Sequence, residues 1–289
     1  YDPGALRRNL ARLRAALPRG VAVLQVCKGD GYGLGLENAV RMGLAAGSDG
    51  FCVGDPEEAL AARRVAPASQ ILLFPGVLPD ALPDLAAAGV TVTAHNPASL
   101  EKILSLGGGV PFWFKVETGL ARYGFRRSEW AAALARYRDT GQTNCVGVYS
   151  HFGAGMRDRL DDALTRFDGF LAAAGAVIPD PFLTMAASSH AATQRTSLPY
   201  RAVDPGRFLY GMLPAAETGS VASEPVVTAI ESRLVQVSSV DEGLEMQIGY
   251  GDRLHLGRDG RLGVFPIGTF DGLPGQPPFG TVLIGGRPA

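Results

Sequence analysis

Residues 21–53 read VAVLQVCKGDGYGLGLENAVRMGLAAGSDGFCV. The run Val21–Cys27 is short, apolar and valine-rich, the texture of a strand buried on both faces. After a glycine-studded turn, Glu37–Ala46 has the apolar spacing of an amphipathic helix, and Gly50–Val53 is a second buried run. Strand, crossover helix and parallel strand make a βαβ unit, the repeating piece of α/β folds.

The same alternation continues outward. Further strand-like runs lie at Gln70–Phe74, Val90–Thr93, Pro111–Val116, Cys145–Ser150, Pro181–Met185 and Arg201–Val203. Between them, Pro56–Arg64, Leu78–Ala88, Pro97–Leu106, Ser128–Asp139 and Arg157–Ala174 have helical period. Asp55-Pro56-Glu57-Glu58 and Asn96-Pro97 each set a capping side chain before a first-turn proline. Eight strands in about 210 residues predict a (β/α)8, TIM-like barrel over residues 1–219. An open doubly wound sheet has the same alternation and stays a competitor. After Leu213 the helical period disappears. Val226–Val237, Glu245–Ile248, Arg261–Pro266 and Thr281–Ile284 predict a mostly β C-terminal domain over 220–289. The chain ends inside a strand-like run, as one lacking its natural C-terminus would.

Composition narrows the function classes. The 289 residues carry 27 basic and 28 acidic side chains, a balance that argues against a nucleic-acid surface. Three scattered cysteines (Cys27, Cys52, Cys145) suit neither a disulfide framework nor a zinc site, and no metal site is expected. No stretch of about 18 apolar residues and no charged-then-apolar leader is present, so a soluble, cytoplasmic protein without membrane contact is expected. The arginines of the helix faces (Arg7, Arg8, Arg12, Arg14; Arg63, Arg64) read as solvated surface.

In a barrel, chemistry collects where strands end. Strand 1 ends in Lys28, strand 6 in His151, strand 7 in Ser188-Ser189-His190 and strand 8 in Asp204-Pro205-Gly206-Arg207. Strand 5 carries Lys115 and Glu117 and is followed by Arg122. Lys28 stands at the rim of an apolar interior, where desolvation favours a nucleophilic amine able to form a Schiff base. A snorkelling lysine would occupy the same place. The following Gly29-Asp30-Gly31-Tyr32-Gly33-Leu34-Gly35 tips the reading toward a ligand site, because alternate glycines let backbone approach an anion. His95 and His255 have no converging partners and read as surface or structural residues, while His190 stays open between structure and function.

Val26-Cys27-Lys28-Gly29-Asp30-Gly31-Tyr32-Gly33 resembles the cofactor-lysine motif of the alanine racemase family, fold-type III pyridoxal-phosphate enzymes, with glycines replacing two alanines. Phe114-Lys115-Val116-Glu117-Thr118-Gly119-Leu120-Ala121-Arg122-Tyr123-Gly124-Phe125, Gly147–Phe152, Leu209-Tyr210-Gly211, Gly249-Tyr250-Gly251 and Gly268–Gly272 are similar to its other landmarks, in order. The resemblance implies pyridoxal 5'-phosphate held on Lys28, an amino-acid substrate, and a homodimer with shared active sites. Lys28 and Tyr250, the latter reaching the partner's site, would be the two acid/base groups that racemisation needs on opposite faces of one carbon. Tyr32, Ser189 and the amides of Gly206 and Arg207 would hold phosphate. His151 would pack on the ring, Arg122 would reach the phenolic oxygen or substrate carboxylate, and Tyr210 belongs to the cofactor-binding set. Lys115 aligns with a lysine carbamylated in some members.

Two departures stand out. The family has arginine before Pro-Gly, where this chain has Asp204; Asp204-Pro205-Gly206-Arg207 resembles instead the related fold-type III decarboxylases, whose carboxylate pairs with a protonated ring nitrogen. A decarboxylase, aldolase or other lyase is therefore the alternative to racemase. The second is Thr269-Phe270, where tyrosine-alanine is usual, which puts alanine itself in doubt as substrate. A catalytically idle cofactor carrier is a third reading, opposed by the added β domain with its Gly-Tyr-Gly.

Overall fold

The computed structural model describes residues 1–76, 80–153, 159–194, 199–218, 221–240, 245–247, 253–255, 260–273 and 282–288. The chain divides into two compact units, Tyr1–Thr228 and Ala229–Ala289.

In the first unit, eight strands form where the apolar runs predicted them: β1 Ala22–Val26, β2 Gly50–Val53, β3 Gln70–Leu73, β4 Val92–Ala94, β5 Phe112–Lys115, β6 Cys145–His151, β7 Leu183–Ala187 and β8 Ala202–Val203. All neighbours are parallel, in the order β3-β2-β1-β8-β7-β6-β5-β4. The Leu73 N–H donates to Thr91 O (2.8 Å) and the Thr91 N–H to Ile71 O (2.9 Å), joining the two ends beside a Leu72–Thr91 bridge. First strand against last, with the ends joined, is a barrel, so the open doubly wound sheet is set aside.

The strands bury both faces, as their unbroken apolar texture requires. Leu24, Val26, Cys52, Leu72, Trp113, Tyr149, Met185 and Ala202 fill the interior. Val23 and Val203 face outward instead, packing with Leu10, Leu13, Phe208 and Leu209. Trp113 is fully buried and pairs across the β5–β6 ladder with Gly147, where any Cβ would lie 2.4 Å from the indole.

Helix starts follow the predicted chemistry. Asp55 accepts from the Glu58 N–H and Asn96 from the Ser99 N–H, each at 2.8 Å, with proline in the first turn. A further helix, Pro3–Ala16, begins the same way on Asp2. Its Arg8 and Arg12 are exposed but paired with Glu224. Arg63 departs from the solvated reading: its guanidinium donates to the carbonyls of Ala66, Pro67, Ser69, Ala88 and Gly89, tying two turns under the barrel together.

The second unit has antiparallel pairs of Gln236–Val240 with Gly260–Val264, Glu245–Gln247 with Arg253–His255, and Leu283–Ile284 with Arg287–Pro288. One expectation is corrected here. The stretch Val226–Val237, read as part of the β domain, becomes strand only from Gln236; Val226 is buried in the first unit, donating to Tyr210 O and accepting from the Asp2 N–H. Tertiary hydrogen bonds claim it before a sheet can. Among the described residues no helix is long and apolar enough to cross a membrane.

Candidate active site

Because all eight strands run the same way, their C-terminal ends share one mouth. Lys28, Tyr32, Arg122, His151, Ser189, Asp204, Gly206 and Arg207 all line one cleft there, two adjoining hollows of about 240 and about 180 Å³ that share Lys28, Phe74 and His151. Tyr250 and its flanking glycines lie outside the described residues, as does the side chain of His190.

Lys28 opens a left-handed turn. Gly29, Asp30, Gly31, Tyr32 and Gly33 have φ of 64°, 52°, 64°, 58° and 84°. Each L-residue in that region costs roughly 1–2 kcal/mol, and glycine is spared. The alternating glycines therefore confine strain to Asp30 and Tyr32. The Gly31 N–H donates to Cys27 O, and Asp30 Oδ1 takes the Leu36 N–H at 2.7 Å. The turn carries Tyr32 to the end of β8, where its ring rests on Tyr210 with centroids 4.8 Å apart. Burial, with Asp204 adding to it, pushes the Tyr32 hydroxyl up to about 12, so it stays a proton donor. Tyr210 itself does not line the cleft: its hydroxyl donates to Val26 O (3.0 Å) and receives the Gln25 amide (3.1 Å). It supports Tyr32 from behind.

The loop after β8 is built on Ser189. Its Oγ accepts the N–H groups of Gly206 (3.0 Å) and Phe208 (3.1 Å), both buried. The Gly206 amide, expected to face a ligand, is thus committed to Ser189. A hydroxyl oxygen that accepts two donors keeps its own proton available to donate. Gly206 must lack a side chain, since a Cβ would fall 2.2 Å from the Tyr32 hydroxyl oxygen.

Charge in the cleft is set by burial. Asp204 is 3% exposed, and its Oδ1 has no hydrogen-bond partner. Desolvation pushes its carboxyl up to about 7 against the pull of Lys115 and Lys28. Lys115 is equally buried, its amine 4.3 Å from the centre of the Tyr149 ring. Desolvation brings it down to about 7, opposed by Asp204. The desolvated amine is therefore Lys115, not Lys28 as the sequence suggested. Lys115 ends β5 within the barrel wall, whereas Lys28 lies beyond β1 and is exposed in the cleft. His151 is held down to about 3, first by burial and then by Lys115, Arg122 and Lys28, which makes it a neutral ring at any physiological pH.

Arg122 projects from the β5 loop with its side chain exposed. The Glu117 carboxylate gathers the loop by accepting the N–H groups of Gly119 and Arg122. Sequence reasoning passed over Tyr123, which lines the same hollow with its ring edge-on to His95 at 5.2 Å. It also passed over Glu58, whose carboxylate reaches the Lys28 turn. The signal for Glu58 was its place three residues into a capped helix.

A family model described as the alanine racemase N-terminal domain matches residues 1–214. The alanine racemase of Nitrosococcus oceani is 33% identical over 301 residues, which cover 99% of this chain and 80% of that protein. The catabolic alanine racemase of Pseudomonas aeruginosa is also 33% identical, with the same coverage of 99% and 80%. Among solved structures, alanine racemase from D-cycloserine-producing Streptomyces lavendulae matches with a TM-score of 0.86 and 26% identity, over 99% of this chain and 78% of that one.

Proposed function

This chain belongs to the alanine racemase family, and on that premise we propose that it interconverts amino-acid enantiomers with pyridoxal 5'-phosphate, using Lys28 and Tyr250 as the two acid/base groups. The observation that carries the reading is the meeting of Lys28, Tyr32, His151, Ser189 and Asp204 in one cleft at the barrel mouth. The relatives bear the racemase name, so the lyase alternative is not favoured.

The residues fit the cofactor. The buried Asp204 Oδ1 lacks a partner and lines the cleft, so a donor on a bound ring would satisfy it. At the other end, the hydroxyls of Tyr32 and Ser189 and the backbone of Arg207 would hold a phosphate. When bound, the cofactor supplies an aldehyde for the Lys28 amine and a ring that spreads charge left on the substrate Cα. Lys28 takes or returns the Cα proton on one face. Tyr250 acts on the other, which is why the product inverts. Arg122 holds the substrate carboxylate or the cofactor's phenolic oxygen. Neutral His151 would pack on the ring without adding a further cation beside Lys115 and Arg122. A head-to-tail homodimer with shared sites and a cytoplasmic setting complete the proposal. The three thiols, free and buried, suit a reducing compartment.

The test is incubation with cofactor and single L-amino acids in deuterated water. Racemisation is expected to place solvent deuterium at Cα with the carbon skeleton whole; release of carbon dioxide or an aldehyde fragment instead would overturn the assignment. Gly206→Ala should lower cofactor affinity at least about tenfold, because the added methyl displaces the Tyr32 hydroxyl. Absorbance titration reads this, and an unchanged affinity would argue against a phosphate at Tyr32.

A further inference from the structure

The capped start Asp55-Pro56-Glu57-Glu58 contains a side chain for which the proposed reaction has no use. Glu58 is the third residue of the helix Pro56–Val65, from where a glutamate commonly folds back on its own N-cap amide. Here the carboxylate reaches past it. Oε2 accepts the Gly54 N–H at 2.7 Å and Oε1 accepts the Asp30 N–H at 2.8 Å. These two amides flank Lys28. Asp30 lies two residues beyond it in the left-handed turn, and Gly54 packs against it so closely that a Cβ there would be 3.1 Å from Lys28 Cβ.

The Asp30 amide belongs to the first turn, where N–H groups have no partner within the turn. Asp30 is also one of the two non-glycine residues of this turn held at positive φ. A restraint from outside is needed at this residue, and Glu58 provides one from the neighbouring βα unit. Its partner, the Asp30 Oδ1 bond to Leu36, restrains the same residue from the following helix.

We propose that Glu58 is a positioning residue for Lys28: its carboxylate pins the left-handed turn to the end of β2, so that the Lys28 amine is presented to the cleft. The proposal rests on the reading of Lys28 as the cofactor lysine. Glu58→Gln keeps one acceptor and turns an NH2 group toward the other amide, which breaks one of the two bonds with little change in size. Glu57→Gln, at the exposed neighbouring position, is the control.

Two measurements decide it. Hydrogen exchange in residues 28–35 of the cofactor-free chain is expected to quicken at least about tenfold in Glu58→Gln and to stay unchanged in Glu57→Gln. The dissociation constant for pyridoxal 5'-phosphate, by absorbance titration of the full chain, should rise at least about tenfold. Adding Asp30→Asn to Glu58→Gln should recover part of that loss, since asparagine accepts the left-handed region and keeps the acceptor for Leu36. A merely structural role gives no such rescue. Unchanged exchange, an affinity within about twofold of the parent, or a loss that Asp30→Asn does not relieve overturns the proposal. Absence of a borohydride-fixed pyridoxyl group on Lys28 of the parent would instead overturn the reading of the site, and the exchange comparison would stand apart from it.

Discussion

Replacing Lys28 with alanine should abolish amino-acid racemisation, lowering the rate by at least about 10³-fold, because one residue serves as both cofactor attachment and acid/base group. The fold should survive. Lys28 is exposed beyond the end of β1 and makes no side-chain hydrogen bond among those described, so the circular dichroism spectrum should match the parent. Borohydride reduction followed by peptide mass spectrometry should find a pyridoxyl group on Lys28 in the parent and none in the variant. The instructive rival is Lys115. Burial brings its amine down to about 7. Lys115 borders the cleft, but it is 3% exposed with its amine over the Tyr149 ring, whereas Lys28 is exposed. A label on Lys115 in the parent, or racemase activity above a few per cent in Lys28→Ala, would sink the assignment.

Trp113→Ala is expected to be the most damaging change to stability, costing about 3–5 kcal/mol. The indole lies wholly inside the barrel, edge-on to Tyr149 with ring centroids 5.9 Å apart. It is wedged where Gly147 gives up its side-chain volume to it. Eight strands joined in a ring cannot close over the void as a surface helix could, so the cavity penalty should approach the upper part of that range. Trp113 Nε1 has no hydrogen-bond partner, so the loss is one of packing. Denaturant unfolding followed by far-ultraviolet circular dichroism would measure it for the cofactor-free chain. A loss below about 1 kcal/mol would mean that the interior is far more compliant than its packing suggests.

Much of this molecule is written in short windows of its chain. Each strand appeared as a short, mostly apolar run, and the starts at Asp55 and Asn96 follow from a capping side chain before proline. Alternating glycines after Lys28 marked a place where backbone can approach a ligand, and the positions just past each strand named most of the cleft. All of these are local signals, carried by residues a few positions apart.

What the chain could not state by itself are the meetings between residues far apart in it. That β1 lies beside β8, and hence that the sheet closes, is a matter of pairing Ala22 with Ala202. Which lysine is buried depends on whether it ends a strand within the wall, as Lys115 does, or lies two residues beyond one, as Lys28 does, a difference that periodicity does not resolve. The Gly206 amide went to Ser189 and Glu58 to the Lys28 turn because their elements are neighbours only in space. Hydrophobic pattern selects which face of an element is buried. Only the assembled barrel selects what that face meets, and hydrogen bonding and desolvation, which decide the chemistry of the cleft, act over a few ångströms of space rather than along the chain.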